Sequence, residues 1–328
     1  MMKDKAADGG RFERFCIVGL GGHARTKLIP AIAANGQTLA GVVTRQVSAL
    51  PDAPAFHTVG EAVAALPADT TFVIATPPAL HSDAAMTALA AGRDVFVEKP
   101  AFVTEAQARA ATDTAAASGR VLVEAFMHRH SGLYRRLLAD WIWMAQRGAA
   151  KRIDIAFLIP AAPAATFRQD TAIESSALYD IGCYALSLIA DLGLPLDAIR
   201  IENVAFAGDP QREVVALSGT AEGVTVCVRV GIGESYANEV SLTLDDGTVA
   251  YAPFFYGRPS EKIVTLRRAG ETTQAKSTDG NAFEAMFATP RAHWLATQAD
   301  RSAGTVAVTA ALERLGRELD KIRKDNRG

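Results

Sequence analysis

The sequence has little cysteine, little net charge and no long uninterrupted apolar run. Its three cysteines, Cys16, Cys183 and Cys227, are odd in number and far apart, which argues against a disulfide framework or a zinc knuckle. A formal net charge of −2 gives no electrostatic signature for binding nucleic acid or an anionic membrane. The longest apolar candidate, residues 153–165, is interrupted by prolines and is too short to span a bilayer. We therefore expect a cytoplasmic protein with no nucleic-acid partner, no membrane span and no metal site.

The composition is that of a globular chain large enough for two domains. Its 328 residues are 49% hydrophobic and 21% charged, and each half is long enough to bury a core. Residues 1–11 contain charges but no apolar segment of a secretory signal, so we expect a disordered leader there. The pattern of apolar runs changes after residue 126. This change places an N-terminal domain at residues 12–126 and a second domain at residues 127–328.

In the N-terminal part, short apolar runs alternate with longer amphipathic segments. The runs predict five strands, at residues 15–19, 39–44, 71–76, 94–98 and 121–125. Helices are predicted between them, and the alternation indicates a parallel, doubly wound sheet. The runs are apolar almost throughout, as expected where helices cover both faces of a sheet. This part is therefore predicted to be an α/β domain of the Rossmann type.

In the C-terminal part, strand-like runs follow one another closely. Six of them lie between residues 199 and 266, and Asp245-Asp246-Gly247 is a hairpin signal between two of these. Helices are predicted at residues 131–147, 178–192, 283–299 and 306–324. The pattern indicates an α+β domain with a large, mainly antiparallel open sheet and helices on one face.

A glycine-rich turn follows the first strand and opens the first helix. It consists of Gly19, Leu20, Gly21, Gly22, His23 and Ala24 and fits the pattern G-x-G-x-x-G/A. In this pattern the first glycine permits a tight turn, and the second lets the backbone approach a pyrophosphate at the helix N-terminus. Alone, the pattern is often only a tight turn. Between the first strand and first helix of a βαβ series it predicts dinucleotide binding.

The end of the second strand carries information about the kind of dinucleotide. An NAD site usually has Asp or Glu there to bind the ribose 2′-hydroxyl, whereas this chain has Thr44 and Arg45. An arginine forms charge-assisted hydrogen bonds with a 2′-phosphate, which favours NADP. The alternative is that Arg45 is a solvated loop charge and that NAD binds without the acidic contact.

Two further groups of residues suggest chemistry. Lys99, in Glu98-Lys99-Pro100, ends the fourth strand, where ligands of open parallel sheets bind, and a lysine can act as a general acid or donate to a carbonyl oxygen. Asp180 and Tyr184 are four residues apart on a predicted helix and share a face. A tyrosine hydroxyl can donate a proton to an alkoxide. From position alone, a surface lysine and a packed helical tyrosine are the simpler interpretations.

Five motifs together resemble a known family over nearly the whole chain. They are GLGGHA at residues 19–24, ATPPALH at 75–81, VEKP at 97–100, EAFMHR at 124–129 and YDIGCYAL at 179–186. In this order and spacing they resemble the glucose–fructose oxidoreductase, inositol dehydrogenase and rhizopine-catabolism (Gfo/Idh/MocA) family. The resemblance implies a Rossmann domain, a C-terminal domain with a large open sheet, and homodimers or homotetramers that pack through that sheet. It also implies a Lys-Pro peptide that is often cis.

The resemblance also implies roles for individual residues. Three match the family's catalytic positions: Lys99, Asp180 and Tyr184. A tyrosine at position 184, where many members have histidine, is similar to the glucose–fructose oxidoreductase and dihydrodiol dehydrogenase branch. The remaining matches border the cofactor: Thr76, Pro77, His81, Glu98 and Arg168.

Two positions depart from the family pattern. Residues 174–177 are Glu-Ser-Ser-Ala where relatives are usually glycine-rich, and His128 stands where relatives more often have an aromatic residue. Both departures concern the substrate more than the type of reaction.

We predict an oxidoreductase that transfers hydride to or from a secondary alcohol or carbonyl carbon of a sugar, cyclitol or related polyol. The cofactor is predicted to be NADP, with NAD as the second choice. Two alternatives stay open. The first is a non-catalytic dinucleotide-binding sensor, against which the joint presence of Lys99, Asp180 and Tyr184 counts. The second is a glycosidase or epimerase that oxidises a sugar transiently with a tightly bound nicotinamide.

Overall fold

The computed structural model describes residues 10–45, 50, 52–161, 176–209, 212–233 and 235–326. The chain forms two compact units. One contains the residues up to Phe126 together with Phe283–Thr309, and the other contains Met127–Ala282 and the residues from Ala310 on. Residues 283–309, which the sequence-based division assigned to the C-terminal domain, thus pack with the first unit. The predicted leader lies outside the described residues, except for its last two positions.

The first unit is built on a six-stranded parallel sheet, called sheet A here. Its strands are β1 (Arg14–Val18), β2 (Thr38–Val43), β3 (Ala55–Phe56), β4 (Thr71–Ile74), β5 (Val95–Val97) and β6 (Leu122–Glu124). They lie in the order β3-β2-β1-β4-β5-β6. This is the strand order of a doubly wound Rossmann sheet, whose order reverses between β1 and β4. The predicted fold class is confirmed, and only the two-residue strand β3 was not expected from the sequence.

Helices connect these strands. They are a π-helical turn at Ala24–Leu28 that continues into α1 (Ile29–Ala34), then α2 (Val59–Ala65), α3 (His81–Ala90) and α4 (Glu105–Ser118). A capping box begins α4, since Thr104 accepts from the Gln107 backbone and the Gln107 side chain accepts from the Thr104 backbone. Such a cap contributes about 1 kcal/mol to helix stability. Phe15, Phe72 and Phe96 of the sheet are completely buried, as a sheet covered on both faces requires.

The second unit is built on an eight-stranded sheet, called sheet B here. Its strands are β7 (Ala150–Ile159), β8 (Arg200–Ala205), β9 (Val214–Ala221), β10 (Val224–Ile232), β11 (Ala237–Leu244), β12 (Gly247–Ala252), β13 (Ser260–Arg268) and β14 (Glu271–Asp279). Their order is β14-β13-β12-β11-β7-β10-β9-β8, and β7 and β10 are the parallel pair in an otherwise antiparallel sheet. The predicted large, mainly antiparallel sheet is confirmed.

One face of sheet B is covered and the other is open. In β10, Val226, Val228 and Val230 are buried, whereas Cys227 is half-buried and Arg229 is exposed. Two helical segments pack on the sheet: α5 (Gly132–Ala145), and the π-helical turn Leu178–Gly182 that continues into α6 (Cys183–Asp191). The alternation along β10 is that of a sheet with one apolar face against the core.

The C-terminal helices differ from the prediction. They are α7 (Ala282–Ala288), α8 (Arg291–Ala296) and α9 (Gln298–Asp325), so the helix predicted at residues 283–299 is interrupted. Pro290 causes the interruption, because it has no N–H to donate and restricts the residue before it. Among the residues that the model describes, no helix is long and apolar enough to cross a membrane.

Candidate functional site

The glycine-rich turn lies at the carboxyl end of β1, where the strand order of sheet A reverses. Gly19 has a φ of +98°, and its N–H donates to the Val43 carbonyl at 2.9 Å. A Cβ at Gly19 would lie 2.7 Å from the Ala75 carbonyl oxygen, so the fold itself requires glycine there. By contrast, a Cβ at Gly21 or Gly22 would meet no atom within 4 Å. The outer side of the turn is therefore open, which fits the close approach of a pyrophosphate.

Four other predicted cofactor residues lie in the turn or at the end of the neighbouring strand β2. Leu20 and Ala24 are buried, at 3% and 1% exposure. At the end of the neighbouring strand β2, the Thr44 N–H donates to the Phe56 carbonyl at 2.9 Å, and the Arg45 side chain is exposed. The sequence has no Asp or Glu at residues 44–49, so Arg45 brings positive charge where many NAD sites have negative charge.

The end of β5 carries the turn of Glu98, Lys99 and Pro100, and the Lys99–Pro100 peptide is cis as the family resemblance implies. Glu98 is buried, and its carboxylate accepts from the His23 ring at 2.9 Å and from the Lys99 N–H at 3.3 Å. Burial raises the pKa of the Glu98 carboxyl, but the charge and hydrogen bond of His23 and the charge of Lys99 outweigh burial and hold that pKa below its ordinary value. Glu98 is thus a carboxylate that joins the glycine-rich turn to the Lys99 turn.

His81, at the start of α3, connects two further turns. One ring nitrogen lies 2.7 Å from the Thr76 carbonyl oxygen, and the other lies 3.1 Å from that of Pro100. The ring is almost fully buried, and burial lowers the pKa of His81 in spite of these contacts. A neutral ring donates to one of the two carbonyl oxygens. His81 therefore holds the ends of β4 and β5 together, with Thr76 half-buried and Pro77 exposed beside it.

Asp180 and Tyr184 belong to the second unit. Asp180 lies in the π-helical turn, where its N–H donates to the Ser176 carbonyl at 2.9 Å, and Tyr184 lies in the first turn of α6. Both residues are buried, at 3% and 8% exposure. The Tyr184 hydroxyl lies 3.9 Å from the Met127 sulfur. Gly182 lets this segment pack closely, since a Cβ there would lie 3.2 Å from the Leu178 side chain.

Among the residues that the structure describes, three rings pack against the ring of Tyr184. Its centroid lies 5.2 Å from that of His128, 5.5 Å from that of Phe157 and 5.7 Å from that of Phe255. His128 is completely buried, and burial, with the charges of Arg129 and His130, lowers its pKa well below the ordinary value. A neutral imidazole ring can pack against aromatic side chains as an aromatic residue does. This explains why a histidine fits at position 128, where relatives more often have an aromatic residue.

The sequence did not reveal two of these features, the pairing of His23 with Glu98 and the rings around Tyr184. Both features join residues from distant segments of the chain. The one indication in the sequence was His128, which departs from the family pattern. Arg168, Glu174 and Ser175 lie outside the described residues. Ser176 and Ala177, which complete the altered segment, are buried. Within the described ranges, no three His, Cys, Asp or Glu side chains are arranged to hold a metal ion.

Comparison with known proteins agrees with the motifs. Residues 13–126 match the model of an oxidoreductase family with an NAD-binding Rossmann fold (GFO_IDH_MocA). Two curated relatives are dTDP-3,4-didehydro-2,6-dideoxy-alpha-D-glucose 3-reductases. The protein from Actinomadura kijaniata is 31% identical over 166 residues, which are 49% of either chain. The protein from Streptomyces violaceoruber is 30% identical over 202 residues, 58% of this chain and 57% of the relative. The matches thus span about half the length of these relatives.

The fold also has counterparts among solved structures. The structure of KijD10, a 3-ketoreductase from Actinomadura kijaniata in complex with NADP and TDP-benzene, superposes with a TM-score of 0.78 at 18% identity. The superposition covers 92% of this chain and 96% of that one. At this level of identity the likeness shows a shared fold. The family match itself is confined to residues 13–126, where the chain is similar to Gfo/Idh/MocA oxidoreductases.

Proposed function

We propose that this protein is an NADP-dependent oxidoreductase that transfers hydride between nicotinamide and a carbonyl or secondary alcohol carbon of a sugar. The observation that carries the proposal is the glycine-rich turn at the point where sheet A reverses its strand order. The turn is open on its outer side at Gly21 and Gly22, and Glu98 ties it to the turn of Lys99. Ligands of doubly wound sheets bind at this point.

The preferred substrate is a keto sugar linked to a nucleoside diphosphate. The names of the two curated reductases, which act on a dTDP-linked didehydro sugar, support this choice. Free sugars, cyclitols and related polyols are the second choice. NADP is preferred to NAD because Arg45 follows β2 without a carboxylate, and KijD10 was solved with NADP. The guanidinium of Arg45 would form charge-assisted hydrogen bonds with the 2′-phosphate.

The proposed roles of the residues follow from their chemistry. NADPH, when bound, supplies the hydride. Lys99 donates a hydrogen bond to the substrate oxygen as negative charge develops on it. Tyr184 donates the proton that converts the alkoxide to an alcohol, and Asp180 orients the groups around it. Thr76, Pro77, His81 and Arg168 are proposed to border the cofactor.

Steady-state assays with the purified protein test the proposal. We expect oxidation of NADPH with a dTDP-linked keto sugar, and much slower oxidation of NADH. Arg45→Ala should weaken NADPH binding about tenfold or more and leave NADH binding unchanged, because a charge-assisted hydrogen bond contributes about 1.5–3 kcal/mol. Arg109→Ala, on the exposed side of α4, is the matched control.

The activity of a Lys99 variant tests whether Lys99 donates the proposed hydrogen bond to the substrate oxygen. Lys99→Ala should lower kcat by about a hundredfold or more, as the loss of an oxyanion donor does. A substrate that Lys99→Ala reduces as fast as the wild type would refute the role of Lys99. Tight NADPH binding without hydride transfer to any keto sugar or polyol would instead favour a sensor.

We also propose that the protein forms a homodimer or homotetramer through the open face of sheet B. The support is a concave groove on this face, lined by charged and small side chains that include Arg152, Asp154, Arg229, Glu239 and Ser241. The second support is the family resemblance, which implies packing of copies through this sheet.

A further inference from the structure

Residues 253–256, in the connection between β12 and β13, are held on one side by a buried amide. The Asn238 side-chain oxygen accepts from the Phe254 N–H at 3.0 Å and from the Phe255 N–H at 2.7 Å. The Asn238 backbone carbonyl also accepts from Phe254 at 3.0 Å, and its side-chain nitrogen donates to the Tyr236 hydroxyl at 3.0 Å. Asn238 is 5% exposed. This one side chain satisfies two consecutive backbone donors that β-strands usually pair.

A buried lysine holds the same four residues on the other side. The Lys262 ammonium donates to the Pro253 carbonyl at 2.9 Å and to the Tyr256 carbonyl at 3.0 Å, the first and last residues of the segment. Lys262 has no exposed surface. Burial lowers the pKa of Lys262, and the negative charge of Asp279 opposes this effect. Lysines are almost never fully buried without partners, so these two carbonyls account for its presence in the core.

The segment between these two anchors carries rings that contact the surroundings of Tyr184. Phe255 is stacked on Phe157 at 5.1 Å, and its centroid lies 5.2 Å from His128 and 5.7 Å from Tyr184. Phe254 packs against Phe255 at 4.9 Å. Phe255 therefore contacts Tyr184 directly and also contacts both other rings that enclose it. The orientation of the Tyr184 ring depends on where residues 253–256 place Phe255.

We propose that Lys262 and Asn238 are positioning residues that fix the proton donor Tyr184 through Phe255. The inference rests on the proposed function, in which Tyr184 protonates the alkoxide. Connecting segments are usually mobile, and a proton donor must be held within hydrogen-bond reach of one oxygen atom. The buried side chains of Asn238 on β11 and Lys262 on β13 hold the segment by hydrogen bonds and so restrict its motion. They thereby restrict the Tyr184 ring without contacting it.

The first test compares two lysine variants. Lys262→Met keeps the length of the side chain and leaves the Pro253 and Tyr256 carbonyls without their donor. We expect kcat to fall about 10–100-fold, the effect of a displacement of about 1 Å in a reacting group, while the KM for NADPH stays unchanged. Lys276→Met is the control, because Lys276 is exposed on β14 and pairs with Glu261 on the surface. It should keep the kcat of the wild type.

The second test does not depend on activity. The chain has six tyrosines, so protein labelled with 3-fluorotyrosine gives few ¹⁹F signals, and Tyr184→Phe identifies that of Tyr184. Lys262→Met and Asn238→Ala should each shift or broaden the Tyr184 signal. The signal of Tyr179, which packs against Gly316, should stay in place and show that the fold is intact. Lys276→Met should change neither signal.

The outcomes separate the inference from the proposed function. An unchanged Tyr184 signal in Lys262→Met, or an unchanged kcat of Lys262→Met where Tyr184→Phe lowers kcat, would overturn the positioning role. A shifted signal together with full activity of Tyr184→Phe would show that the loop holds Tyr184 but that Tyr184 is not the proton donor, which contradicts the proposed function. If Lys262→Met does not fold, Phe255→Leu removes the ring contact directly and carries the same expectations.

Discussion

Glu98 and His23 are 75 residues apart in sequence and form one contact between two turns of the first unit. The motifs contain both residues, but their pairing depends on how the ends of β1 and β5 approach across sheet A. Local sequence predicts a turn at each strand end, and it does not determine which side chains of two turns meet. The carboxylate is buried and still ionised, because its cationic neighbours compensate for burial. It is a stabilising contact as well as part of the proposed site.

Glu98→Gln tests this contact through its pH dependence. The pKa of Glu98 in the folded protein lies below its ordinary value, so the ionised group stabilises the fold above that ordinary value, near pH 4.3. The stabilisation is lost as the pH falls through the lower, folded pKa. We expect Glu98→Gln to have a free energy of unfolding about 1 kcal/mol below that of the wild type at pH 7, the scale of one hydrogen bond. The difference should shrink below about pH 4.

Urea denaturation at a series of pH values measures this difference. Glu105→Gln is the control, because Glu105 is partly exposed and pairs with Arg109 one helical turn away. Exposed pairs of this kind contribute little, so its difference from the wild type should be small at every pH. A Glu98→Gln difference that is as large below about pH 4 as it is at pH 7 would contradict an ionised Glu98.

At the scale of secondary-structure elements, runs of apolar residues predicted most of the strands. A strand without such a run was missed. The five longer strands of sheet A were predicted because helices cover both faces of the sheet and almost every position is apolar. Strand β14, with the sequence ETTQAKSTD, was missed because it is almost entirely exposed and polar at the edge of sheet B. Charged and polar side chains protect such an edge from pairing with other chains. β14 is a strand because it pairs with β13 along its whole length, and this pairing cannot be predicted from the sequence of β14 alone.

Substitutions of two glycines in the dinucleotide turn should affect different properties, stability at Gly19 and NADPH affinity at Gly21. Gly19→Ala would bring a Cβ to 2.7 Å from the Ala75 carbonyl oxygen at a φ of +98°, so we expect a loss of about 3 kcal/mol in the free energy of unfolding. Gly21→Val adds a side chain where the protein has no atom within 4 Å. It should leave stability unchanged and lower NADPH affinity about tenfold or more, by blocking the approach of the pyrophosphate.

Thermal unfolding and the fluorescence of bound NADPH measure the two effects separately. Gly36→Ala is a control for the cost of positive φ alone, because Gly36 has a φ of +66° and open space around it. It should cost less stability than Gly19→Ala and leave NADPH affinity unchanged. If Gly21→Val bound NADPH as tightly as the wild type, the open side of the turn would not be the pyrophosphate site.

At the scale of the whole molecule, the open face of sheet B carries a groove that the proposed reaction does not use. Along β10 and β11, half-buried and exposed side chains such as Cys227, Arg229, Glu239 and Ser241 line one groove. The sequence predicted the sheet through its alternating strands. It also predicted helices on one face of the sheet, but it did not show which helical segments pack there; in the structure these are α5 and the π-helical turn before α6.

Ser241→Arg tests whether this face joins copies of the chain. Ser241 lies opposite Asp154 of β7, so the carboxylate of Asp154 can accept from the new guanidinium and the isolated chain should still fold. In a symmetric interface the same long, charged side chain would enter from both copies, with no space for it and repulsion between the two. Light scattering coupled to gel filtration should give the mass of two or four chains for the wild type and of one chain for Ser241→Arg. Ser118→Arg, on the exposed end of α4, should keep the mass of the wild type, and an unchanged mass for Ser241→Arg would place any interface elsewhere.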